Sequence, residues 1–232
     1  MLILALDTST QAGSLAFLRD ARLIGEVSTW VEETYSSRMF RHLAFLEREL
    51  GVDLAQVDVF AVATGPGSFT GLRVGLTAVK GWAEAYGKPV AAVSALEAVA
   101  AQAGSREELL APVIDARRGE VYGGLYARRG LKLERRGEEV AMATEEFLEF
   151  LGCQAVGRGV AFVSPSPEVL APALARSGFR ESVVETVSTV LAPVIGRIGF
   201  ARAGRGELVD ALALDANYVR RSDAETLWKE PK

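Results

Sequence analysis

The residues best suited to chemistry are few and clustered. Thr64-Gly-Pro-Gly-Ser-Phe-Thr-Gly-Leu-Arg-Val-Gly75 joins an apolar run to a helical stretch. Gly65 and Gly67 around Pro66 permit a tight turn, Ser68 or Thr70 can cap the helix, and the free N–H groups at such a helix start can hold an anion. The spacing is not GxxxxGK[ST], and it is not GxGxxG, because Gly71 falls one residue late. Two readings stand: a structural turn with its cap, or a phosphate contact through Gly65, Gly67 and Ser68. Asp7 ends another apolar run, where an unpaired charge is costly. With Thr8 and Ser9 it could hold a magnesium–phosphate through water, or it could cap the amides of its own turn. Asp115 is followed by Arg117 and Arg118, a set that fits a phosphate clamp as well as a plain polar turn.

The scarce residues exclude more than the common ones allow. His42 is the single histidine, so no site built on two histidines can form, and no Ser–His–Asp partner follows by spacing. The expectation is therefore no metal site in this chain. Cys153 is the single cysteine, which excludes an intramolecular disulfide and a cysteine-ligated metal. It reads as a core residue of an apolar strand and fits a reducing, cytoplasmic setting.

Those groups need elements to place them. Residues 2–7, 13–18 and 22–30 read as three strands with tight turns. Met39, Phe40, Leu43, Leu46 and Leu50 recur at helical spacing over 37–50, and Gly51 stops that helix. A strand at 57–63, a helix at 69–86, a strand at 90–93 and a Ser94-capped helix to Ala103 follow. The second half repeats the plan: a run at 110–115 ending in Asp, strands near 120–127, 131–140 and 154–157, and helices near 144–151, 167–177 and 188–203. Gly157-Arg-Gly159 reads as a flexible loop after the last strand. The joint falls near Gly104-Ser105, dividing the chain into 1–104 and 105–232, with the last segment free to pack back on the first lobe. Three strands followed by alternating helix and strand is the ribonuclease-H-like order. Two copies, each with an aspartate closing its first strand, give an α/β fold of mixed sheets with flanking helices on the actin, sugar-kinase and Hsp70 plan.

The helix at 69–86 is apolar on nearly every side, so every side needs cover. This points to a partner surface formed with the helix at 37–50, through Met39, Leu43, Leu46, Leu72, Leu76, Val79 and Trp82. At 232 residues the chain is long enough to bury a core without staples. Lys plus Arg number 26 against 30 Asp plus Glu, and a net charge of −4 argues against strong direct binding to a phosphate backbone. Tyr218-Val-Arg-Arg221 is a basic, aromatic patch, read as an internal ion-pair or docking segment. No apolar run of about 18 residues is present, and the first residues read as a strand rather than a leader, so no membrane association is expected.

The glycine-rich segment, with Leu4-Ala-Leu-Asp-Thr-Ser9, Val113-Ile-Asp-Ala-Arg117 and Tyr218–Glu225, resembles the TsaB (YeaZ) family of bacterial tRNA threonylcarbamoyladenosine biosynthesis. The likeness spans essentially the whole chain. It departs at Ser36-Ser37, where the family often has His-Ser, and at Ala216, where a proline is usual. The resemblance implies a non-catalytic paralogue of TsaD, the subunit that transfers the threonylcarbamoyl group. It implies pairing with TsaD through helices of the first lobe, a homodimer when TsaD is absent, and TsaE, a P-loop ATPase, as a further partner. It implies no cofactor on this chain alone, with ATP or ADP and Mg only in the complex. The rival reading from the residues is an autonomous kinase or ATPase using Asp7 and Asp115.

Overall fold

A computed structural model describes residues 1–31, 33–130 and 132–220. The first half runs β1 (Leu2–Asp7), β2 (Ser14–Arg19), β3 (Arg22–Ser28), α1 (Tyr35–Leu50), β4 (Val59–Gly65), α2 (Phe69–Tyr86), β5 (Val90–Ser94) and α3 (Ala95–Ala100). The second runs β6 (Leu109–Arg117), β7 (Glu120–Arg129), β8 (Lys132–Ala143), α4 (Thr144–Gln154), β9 (Val160–Ser164), α5 (Ala171–Leu174), β10 (Val184–Thr186) and α6 (Ala192–Arg205). The first sheet has the order β3-β2-β1-β4-β5, and the second, read in the same sense, β8-β7-β6-β9-β10. In each, the first three strands pair antiparallel, and the first strand then runs parallel to the fourth. The repeat inferred from element order is thus a repeat of topology.

The strand compositions explain the layers. β1 and β4 are apolar at every position before their ends and are buried throughout, as strands covered on both faces must be. Side chains alternate across them. Leu4, Leu6, Phe60 and Val62 face the stripes of α1 and α2. Ile3, Ala5, Ala61 and Ala63 face α6 with Leu191, Ala192 and Ile195. The α6 side is built from alanine, and the helix meets it with glycine. A Cβ on Gly199 would lie 2.9 Å from the Ala61 Cβ and 3.3 Å from that of Ala91.

The two halves exchange helices. α6, from the second half, packs on β1, β2, β4 and β5, while α3, from the first, packs on β6 and β7. Ala192 N donates to Ser14 Oγ at 3.0 Å, and Arg202 pairs with Glu97 at the α6–α3 contact. The last helix therefore covers the first lobe, while β1–β5 and β6–β10 form separate sheets.

Several sequence expectations give way in the second half. The strand expected at 154–157 lies at Val160–Ser164, because α4 continues to Gln154. Phe147, Leu148 and Leu151 form the buried stripe of α4, which leaves Cys153 on its exposed side rather than in a core strand. Gly157-Arg-Gly159 accordingly precedes the strand. The helix expected at 167–177 is a 3-10 turn plus the single turn of α5, each with proline in its first turn. β10 has no counterpart in the sequence reading; its three residues are too few to show a period. The closing residues 221–232 of the Tyr218-Val-Arg-Arg221 neighbourhood lie outside the described residues.

Gly199→Val places two methyl groups into the alanine face beneath α6. The expected cost is about 1–3 kcal/mol by overpacking, read as a lower denaturant midpoint in chemical unfolding with an unchanged slope.

Candidate functional site

The carboxyl ends of β1, β4, β6 and β9 all open onto one cleft of about 1140 Å³ between the lobes. Crevices at the carboxyl ends of strands are where open α/β sheets place ligands. Its walls are the turn after β1 (Thr8–Gln11), the first turn of α1, the glycine loop from Pro66 to Leu72, the end of β6 at Asp115–Arg117, and Asn217–Arg220.

Asp7 is fully buried at the cleft floor. Its Oδ1 accepts from Ser9 N at 2.8 Å and Ser9 Oγ at 2.6 Å, and its Oδ2 accepts from Thr10 Oγ1 at 3.0 Å. Burial pushes the carboxyl above its ordinary value of 3.8, against the lowering pull of those three bonds. The geometry is the Asx turn that the plainer sequence reading describes. Tyr35, stacked beneath Arg38 with the guanidinium 4.7 Å from its ring centre, is pushed up by burial and by the nearby Asp7 charge. Arg38 is buried and ties α1 to the loops, donating to Thr29 O at 2.5 Å and Gln11 O at 3.0 Å.

The opposite wall is set by Asp115, which accepts from Arg117 N at 2.7 Å and stands 3.3 Å from Arg117 Nη1. Arg117, with φ of 66°, turns its side chain across the cleft, where Nη2 lies 3.5 Å from Gln11 Oε1. Of the two arginines the sequence set beside Asp115, Arg117 lines the cleft, while Arg118 sits at the β6–β7 turn and is not among the lining residues. The two Asp-ended loops do face each other, as expected for this plan.

The glycine loop is filled by the chain itself. Ser68 Oγ caps α2 by accepting from Gly71 N at 3.2 Å, and Ser68 N donates to Ser9 O at 2.8 Å. A Cβ at Gly67 would stand 2.5 Å from Ser9 O, and one at Gly65 would stand 2.6 Å from Asn217 O. A Cβ at Gly71 or Gly75 would overlap the carbonyl oxygen or the hydroxyl of Thr8. Four glycines of the motif therefore admit protein atoms, which is the structural reading of this loop. Among the described residues, no group of three or more His, Cys, Asp or Glu side chains is placed to hold a metal ion.

Six of the seven residues expected at a partner surface are corrected by the same packing. Met39, Leu43, Leu46, Leu72, Leu76 and Val79 are all buried beneath α1 and α2, because the even-numbered face of β1 and β4 needs both stripes. Trp82 is half-buried, with its ring centre 6.0 Å from Phe60 and 6.3 Å, edge-on, from Phe40. The outward side of the same helices carries Phe40 at 56% exposure and Phe45 at 46%, with Ala44, Thr77, Gly81 and Ala85 exposed and Val74 and Ala78 half-exposed. The sequence stripe contained Phe40, but one position beside Met39 it turns to the other side of the helix.

Two ribonuclease-H-like sheets facing across a cleft define the two-lobed class of actin, sugar kinases and Hsp70. A ROK hexokinase from Thermus thermophilus shares this fold, with a TM-score of 0.51 at 14% identity over 89% of this chain and 100% of the other. The family model described as TsaD, tRNA N6-adenosine threonylcarbamoyltransferase, matches residues 25–192. The tRNA threonylcarbamoyladenosine biosynthesis protein TsaB of Bacillus subtilis (strain 168) is 31% identical over 99% of this chain and 99% of its own. The structure of YeaZ from Pseudomonas aeruginosa superposes with a TM-score of 0.76 at 29% identity, over 94% of this chain and 99% of that one. The chain belongs to the TsaB (YeaZ) family.

Because the folded state holds the Asp7 proton more tightly than the unfolded chain, this group favours folding below pH 3.8 and loses that contribution as pH rises through the raised value. The stability of the wild type relative to Asp7→Asn is expected to fall across that window, measured by denaturant titration of both proteins in pH steps. A difference that climbs with pH would contradict the assignment. Separately, Gly71→Ala is expected to destabilise by about 1–3 kcal/mol, since the helix must shift off Thr8.

Proposed function

We propose that this chain is an accessory subunit in the formation of threonylcarbamoyladenosine in tRNA. It pairs with a catalytic TsaD paralogue and does not transfer the group itself. The observation that carries this is the occupied glycine loop: its close approaches are taken by Thr8, Ser9 and Asn217, and its helix start is capped by Ser68, all of the same chain. Asp7 is likewise engaged by its own turn. The residues that would hold a phosphate in an autonomous kinase are thus committed to the fold.

The pairing surface is the outward side of α1 and α2, centred on Phe40, Ala78 and Trp82. An exposed aromatic beside small residues on adjacent helices lets a second pair of helices approach closely, and it answers the surplus apolar character of α2. The same surface serves a homodimer when the paralogue is absent. TsaE joins the assembly, and ATP or ADP with Mg belongs to the complex. The mildly acidic charge balance supports leaving the main tRNA contact to the partner.

Two substitutions separate surface from core. Phe40→Glu is expected to leave the monomer folded and to abolish both self-association and binding of TsaD, seen by light scattering of each protein alone and of the mixture. Val79→Arg buries an unpaired charge and is expected to unfold the chain, at a cost of about 3 kcal/mol or more. A folded Phe40→Glu variant that still dimerises and still binds TsaD would overturn this surface. Magnesium-dependent nucleotide turnover by the purified chain, lost in Asp7→Asn, would instead support the kinase reading.

A further inference from the structure

The last described residues lie across the cleft rather than beside it. Leu214 is buried against the first lobe, and the chain then leaves that core. Asn217 N donates to Thr64 O at 2.8 Å, and Asn217 O sits over Gly65. Tyr218 packs on Phe69 in the first turn of α2, with ring centres 5.0 Å apart, and its hydroxyl lies 3.4 Å from Arg73 Nε. Arg220 then crosses to the second lobe, where it donates to Ala116 O at 3.0 Å and pairs with Glu120. Within four residues the chain has touched both walls, the second through the Arg220 side chain.

A buried carboxylate anchors the crossing. Glu139 on β8 accepts from Tyr126 OH and from Ser94 Oγ, each at 2.5 Å, on one oxygen. Asn217 Nδ2 donates to the other. Ser94 ends β5 in the first sheet and Tyr126 lies on β7 in the second, so the Asn217 side chain docks where the two lobes are already joined. The rest of the crossing is held more lightly. Tyr218 is 44% exposed, and no residue from 216 to 220 is fully buried. Segments with few buried apolar contacts open at lower free energy than the cores they touch.

We infer that residues 217–220 form a strap laid over the glycine loop and tied to both walls, so that this face of the cleft opens only when the strap lifts. Asn217 O sits over Gly65, so that glycine is reached from the cleft only when the strap lifts. Arg220 with Glu120 is its latch on the second lobe, and Tyr218 with Phe69 and Arg73 is its latch on the first. The inference does not depend on which partner the outer side of α1 and α2 binds.

Amide hydrogen exchange of the full chain tests it. Tyr218→Ala and Arg220→Ala are expected to speed exchange of residues 65–72 and 115–120 by about ten-fold or more while leaving β1 at its wild-type rate. Arg220→Lys keeps the charge but loses the second contact of the fork, and a smaller rise is expected. Wild-type rates at both segments in both alanine variants would overturn the strap. So would an equal rise in β1, since the four residues would then belong to the global fold rather than to a separable closure.

Discussion

Helix α2 rests directly on the turn that ends β1, with only hydrogen atoms of glycine between them. Gly71 and Gly75 meet the carbonyl and the hydroxyl of Thr8, and Gly67 meets the carbonyl of Ser9. This approach places the helix start over the strand end and sets where the loop from β4 must turn. Ser68 can then cap the helix and donate its own N–H to Ser9 in one position. The Asp7 carboxylate completes the arrangement from below by holding Ser9 and Thr10. A dozen residues separated by half of the first lobe are fixed together through backbone contacts that any side chain would break.

From that contact the rest of the first lobe follows. With α2 held close, α1 packs beside it, and their buried stripes cover one face of β1 and β4. The other face is left to α6, which arrives from the far end of the chain. The second lobe repeats the sheet but takes α3 from the first half. Each lobe is thus incomplete without the other's helix, so the cleft is bordered by walls that share one continuous core. The segment ending at Arg220 crosses the surface between those walls.

The chemistry of the cleft is shaped by what the fold has already claimed. In the two-lobed class, an aspartate at the end of each first strand faces the other across the crevice. Here Asp7 is sealed beneath its own turn, while Asp115 remains half-exposed and bound to Arg117. The asymmetry leaves one loop committed to structure and the other open to solvent.

Much of this was legible in the residues. The apolar runs ending at Asp7 and Asp115, the Met39–Leu50 stripe and the joint near Gly104 determined the order of elements and the two-lobed plan, because period and punctuation are local properties. One histidine determined that no two-histidine site could form. The exposed Cys153, the shift of β9 to Val160–Ser164 and the three-residue β10 were not legible, because a short apolar run reads alike as the end of a helix or the start of a strand. Nor could the sequence say that Leu76 and Val79 face inward while Phe40 faces out. An apolar helix shows that all its sides need cover, but only the position of the sheet decides which cover is internal. The glycines at 65, 67, 71 and 75 carry the same lesson. Their spacing announced a close approach, and only the tertiary structure decided that what approaches is the chain's own backbone, brought there by strands and a closing segment distant in sequence.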